Sequence, residues 1–102
     1  MSVGITSFAT PPVLLPINLV LIAAATSPTL QYNFGTLPIS GDVIQWFDGA
    51  SLLGSHTFTQ TDIDNGSLGA SLAPLAAGFH SISVTQTRGS LSVTSNAVSF
   101  TV

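Results

Sequence analysis

The sequence predicts an all-β fold, an antiparallel sandwich of seven or eight strands, on three observations. Short apolar runs with period-two alternation recur along the chain, each cut by Gly, Pro, Asn or Asp. Strong helix formers are nearly missing: there is no Glu and no Lys, and Arg88 is the sole basic side chain besides two histidines. Apolar residues make up 45% and charged residues 5% of the chain, a balance that excludes disorder and leaves enough side chain for a core. At 102 residues the length fits one domain, expected to run over 1–102.

Residues 3–8 predict the first strand, and Pro11-Pro12 breaks it because neither ring nitrogen can donate to a ladder. Residues 17–26 predict the second, apolar on both faces near its middle and closed by Ser27-Pro28. Residues 30–34 predict a short strand carrying Tyr32, followed by a loop over 35–41. In 43–47, Ile44 and Trp46 share one face and Phe47 takes the other. Asp48-Gly49 is a hairpin turn signal, since Gly tolerates positive φ. Residues 52–60 return, with Gly54 as a further turn glycine, and 62–66 turn again. Leu68, Ala70 and Leu72 then share a face, and 74–78 turn the chain at Gly78. His80, Ile82, Val84 and Gln86 alternate with Phe79, Ser81, Ser83 and Thr85. Arg88-Gly89 turns, and 91–102 close the domain with Val98, Phe100 and Val102 in phase. The expected core comprises Ile44, Trp46, Leu68, His80, Ile82, Val84 and Phe100.

Charge excludes several functions. The formal net charge is −3, and one Arg cannot neutralise a phosphate backbone or dock on an anionic membrane. The stretch 12–25 is membrane-like in composition, but it is shorter than the ~20 residues a bilayer requires and is interrupted by Pro16 and Asn18. Membrane insertion is not expected, and the start lacks the basic residues of a secretion signal. There is no cysteine, hence no disulfide and no thiolate metal site. The polar surface must come from Ser, Thr, Asn and Gln, which repel copies of themselves weakly, so protein neighbours and further copies of this chain are the expected partners.

Reactive constellations are sparse. Zinc needs three or four ligands, and His56 and His80 have no third histidine or cysteine to join them. His56 reads as a strand-surface residue and His80 as a structural one. Asp62 and Asp64, with Asn65, place oxygens at alternate positions as calcium loops do, but no Glu supplies a distal bidentate carboxylate, and Asp42 or Asp48 would help only if the fold joined their loops. Asp and Asn before Gly66 also make ordinary turns. No cofactor is expected. Among the aromatic residues, Phe47 and Tyr32 are candidate ligand contacts, Phe47 as the best candidate for an exposed ring on which a glycan would stack.

The run Ser40-Gly41, 43–47, Asp48-Gly49, Leu52-Leu53-Gly54, Gly66-Ser67-Leu68, Leu75-Ala76-Ala77-Gly78-Phe79-His80 and the closing 95–102 resembles the bacterial Ig-like domain family, in particular the group 3 repeats of bacterial surface proteins. The likeness covers about residues 40–102; residues 1–39 match only as strands, and Arg88-Gly89 stands where such repeats carry a longer loop. The resemblance implies an immunoglobulin-like sandwich with Trp46 as its core tryptophan, and Leu21 or a neighbour opposite Ile82 where a disulfide is common. It puts His80 at the corner position two residues before Ile82, where a ring nitrogen would bond the backbone. It also implies a non-catalytic spacer, adhesin repeat or virion decoration or tail component, located outside the cell, at its surface or on a phage particle. A carbohydrate-binding module is the alternative. Whether Met1 is native, as for a stand-alone virion protein, or precedes one repeat of a longer adhesin stays open.

Overall fold

Most of the strands form from alternating stretches bracketed by turn residues. The computed structural model describes residues 14–68 and 72–102, and within them seven strands and one short helix form two antiparallel sheets. β1 (Asn18–Ala23) and β2 (Thr29–Asn33) make the smaller sheet. β3 (Val43–Asp48), β4 (Ser51–Thr57), β5 (Phe79–Arg88), β6 (Leu91–Thr94) and β7 (Val98–Thr101) make the larger, in the order β4-β3-β5-β6, with β7 also on β5. β6 and β7 pair with the second and first halves of β5 respectively.

The core lies between the sheets. Ile17 and Leu19 come from the β1 side, Ile44 and Trp46 from β3, Ile82 and Val84 from β5, and Phe100 from β7. Phe58 and Leu72 complete the cluster, and Leu68 packs against it half-buried. Each large apolar side chain removed from water here contributes about 1.5–3 kcal/mol. Polar ties also join the sheets among the described residues. The Trp46 Nε1–H donates to the Tyr32 hydroxyl at 2.8 Å. The Asn96 amide takes the place of a neighbouring strand for Leu19, accepting from its N–H at 2.7 Å and donating to its carbonyl at 2.9 Å.

Several expectations change. The strand over 3–8 and the Pro11-Pro12 break lie outside the described residues. The strand expected over 17–26 ends at Ala23, and Val20 and Ile22 are exposed, so its middle is buried on one face only. Residues 62–66 are not a simple turn. Helix α1 (Gln60–Asn65) occupies them, opened by a capping box in which Thr59 accepts from the Asp62 N–H and Asp62 accepts from the Thr59 N–H, and closed by Gly66 at φ 71°. The scarcity of Glu, Lys and Arg does not prevent this helix, because at six residues its ends rather than its interior decide it. Gly54 sits inside β4, paired with Trp46, rather than in a turn. Leu68 and Leu72 lie in irregular chain rather than a strand, and the intervening residues 69–71 are outside the description. Finally, 91–102 is two strands. Between them Ser95 bonds Val84 through backbone N–H (2.8 Å) and accepts the Val84 N–H on its hydroxyl (2.8 Å), which turns Asn96 toward β1.

Candidate functional site

Nearly all the charge of the chain is gathered at the ends of β3 and at α1. At the start of β3, Asp42 is 1% exposed. Its Oδ2 accepts from Arg88 Nη2 (2.7 Å), and its Oδ1 from Arg88 Nε (2.9 Å). The Ile39 N–H (3.1 Å) and Gln86 Nε2 (3.3 Å) also donate to the carboxylate. Burial pushes the Asp42 carboxyl up, but the bonds from Arg88, Ile39 and Gln86 outweigh it and hold the group below its ordinary value. Arg88 is raised by the same pair. The Gln86 Oε1 is buried and has no hydrogen-bond partner among the described residues.

At the other end of β3, Asp48-Gly49 makes the hairpin turn, with Gly49 at φ 59°. Asp48 also reaches across to β5. Its Oδ1 accepts the Ser81 N–H at 3.0 Å and its Oδ2 lies 2.5 Å from His80 Nδ1. The second ring nitrogen of His80 lies 2.6 Å from the Ala76 carbonyl, in the loop that Gly78 ends. The His80 ring is 10% exposed and packs on Phe100. The bond from His80, then that from Ser81, draws Asp48 below its usual value; the bonds to Asp48 and then Ala76 raise His80 against the effect of burial.

At α1, the oxygens considered for calcium have other work. Asp62 Oδ2 accepts from the Thr59 N–H and lies 2.9 Å from His56 Nε2, and Asp64 Oδ1 accepts from Gln60 Nε2 at 2.9 Å. The Thr59 bond, then that from His56, lowers the Asp62 carboxyl. Asp62 and Asp64 are not joined by Asp42 or Asp48, and no group of three or more potential ligands occurs among the described residues. His56 lies on the inner face of β4, opposite Ile44, with its side chain still 38% exposed.

A cleft of about 360 Å³ opens beside β4, lined by Trp46, Leu53, Ser55, His56 and the segment 72–75. His56 and Ser55 both line it, and as consecutive residues of a strand they face opposite sides.

The aromatic candidates are relocated. Phe47 is half-buried, and Tyr32 is turned inward as the acceptor for Trp46. Among the described residues the exposed aromatic ring is Phe79, at 70%. It lies on the same outer face of the larger sheet as Phe47, whose cross-strand neighbour Leu52 is also exposed. Sequence reasoning missed the Asp42–Arg88 pair, although one signal was present: a single Arg in an almost uncharged chain is the natural counter-ion of any acid the fold buries.

These features define an all-β chain of two antiparallel sheets whose charged groups are mostly paired internally. No family model, no curated protein and no solved structure matches the chain. No helix among the described residues is long and apolar enough to cross a membrane.

Proposed function

We propose that the chain is a non-catalytic immunoglobulin-like module with a structural or adhesive role in an extracellular or particle-surface assembly, as a spacer, an adhesin repeat or a virion decoration or tail component. The observation that carries this reading is the character of the surface. The only Arg is occupied by Asp42, while Phe79, Leu52 and Leu53 stand exposed among serines and threonines on and beside the larger sheet. Such a surface favours lasting contact with protein neighbours, because desolvating it leaves few charges unpaired. The immunoglobulin-like reading draws support from Trp46 packed with Ile82 and Val84 between two sheets, and from the order β4-β3-β5-β6 around it.

Sedimentation velocity over a range of concentrations tests the neighbour contact. The chain is expected to self-associate, and Phe79→Ser is expected to abolish association while leaving Tm nearly unchanged, as surface substitutions do (about ±0.5 kcal/mol). A monomer at every concentration that also fails to bind its own surface-immobilised copies overturns the reading. The carbohydrate-binding alternative now rests on Phe79 instead of Phe47 and Tyr32. Saturable binding on a glycan array that disappears in Phe79→Ala would move the conclusion there.

A further inference from the structure

His80 is unusual in that both of its ring nitrogens face atoms that can only accept. Nδ1 meets a carboxylate oxygen of Asp48 at 2.5 Å and Nε2 meets the backbone carbonyl of Ala76 at 2.6 Å. A neutral imidazole carries one N–H. At these distances it would set a nitrogen lone pair against an oxygen lone pair on one side or the other. With Asp48 ionised, as its lowered value keeps it, only the doubly protonated ring satisfies both contacts. The surroundings suit a cation: Asp48 is anchored by the Ser81 N–H and supplies the countercharge, and the Phe100 ring lies alongside with its centroid 5.8 Å away.

We propose that the folded chain holds His80 as an imidazolium, and that this cation is a pH-sensitive latch fastening the 74–78 loop to the turn between β3 and β4. Three parts of the chain meet in the ring: the turn through Asp48, β5 through His80 itself, and the loop through Ala76. When the proton leaves, the remaining N–H stays with the stronger acceptor, the Asp48 carboxylate, and the bond to Ala76 is lost. The loop then keeps the Gly78–Val102 backbone pair, at 3.0 and 2.8 Å, and the Leu75 N–H bond to the Thr26 carbonyl, at 2.8 Å, but loses its tie to β3. Among the described residues, the groups facing the ring leave Asp48 as its one titratable partner. β5 contributes Ser81 and Ile82, β7 contributes Phe100, and residues 72–78 (Leu, Ala, Pro, Leu, Ala, Ala, Gly) have no titratable side chain.

The sign follows from the two protonation states. The folded His80 binds its proton more tightly than the unfolded one, with a value raised above 6.5. The latch is therefore fully closed below the unfolded value and opens as the pH rises through the folded one.

The test is an imidazole ¹⁵N–¹H titration of the whole chain from about pH 5 to about pH 9, spanning the histidine range, with thermal unfolding and amide exchange followed in parallel. The expected result is that both His80 nitrogens carry protons at neutral pH. On raising the pH, Tm shifts down and the protection of the loop amides, corrected for intrinsic exchange, falls in step with the His80 titration. Asp48→Asn is expected to lower the His80 titration and flatten the pH dependence of Tm. A His80 ring with one unprotonated nitrogen at neutral pH overturns the proposal, and so does a titration that leaves the loop amides unmoved. Both readouts come from the unaltered chain, so a variant that fails to fold does not blunt the test.

Discussion

The two ends of β3 solve the same problem with different partners. At each end an aspartate crosses to β5, fixing the central strand pair that carries Ile44, Trp46, Ile82 and Val84. Asp42 is buried and meets Arg88, which also donates to the Leu37 carbonyl at 3.1 Å. Asp48 is partly exposed and meets His80. A guanidinium keeps its charge at any pH a protein survives, whereas an imidazole loses its own near neutrality. The Arg end is therefore a permanent fastening and the His end a conditional one. Both carboxyls have depressed folded values, so both ends contribute stability above the ordinary aspartate value of 3.8 and lose it as the pH falls through the folded values. Only the His end also weakens on the alkaline side.

The largest effect is expected from breaking the permanent end. Asp42→Asn leaves Arg88 without its counter-ion and weakens the acceptors for Ile39 and Gln86, and should cost about 3 kcal/mol in chemical denaturation, a buried-pair figure kept low because Arg88 reaches solvent. A loss no larger than that of an exposed ion pair would mean that water already screens this end. Next comes the uncharged tie between the sheets. Asn96→Ala leaves the N–H and carbonyl of Leu19 without their partner and should cost about 1–2 kcal/mol, with no dependence on pH in the range where His80 titrates. A pH-dependent loss at this site would show that the sheet contact is coupled to the His80 latch. The smallest effect, and of opposite sign, belongs to Gln86. Its Nε2 bonds are long, both 3.3 Å, and its Oε1 is buried with no partner among the described residues. Gln86→Leu should be stabilising by up to about 1 kcal/mol, because Asp42 keeps Arg88 and Ile39 while the orphan oxygen is removed. A clear drop in Tm would identify Gln86 as a real member of the Asp42 cluster.

Much of the larger sheet was legible in the order of residues. The alternation in 79–88 and the Asp48-Gly49 signal place β5 and the β3–β4 hairpin because period-two patterning and turn chemistry are local properties. The break at 95–97 was not legible. Val98, Phe100 and Val102 are in phase, but the kink before them exists because Ser95 bonds Val84 and Asn96 reaches Leu19, 77 positions away in sequence. Helix α1 carried its own signal in Thr59 and Asp62, three apart, which the Asp-Asn-Gly composition of the same stretch obscured. The candidate ligand rings were misplaced for a related reason: position on a strand says which face a ring takes, while its exposure depends on what else covers that face.

The sequence by itself determined the class of fold, the central hairpin, the inward row through Ile82 and Val84, and a surface poor in charge, since each follows from composition or from spacing along one strand. Only the tertiary structure decided the polar partnerships. That Arg88 meets Asp42, that Asn96 stands in for a strand beside Leu19, and that His80 is caught between two acceptors all depend on residues far apart in the chain being brought within hydrogen-bond reach. Hydrogen bonding is short-ranged and directional, so no local pattern encodes a bond between residues far apart in the chain.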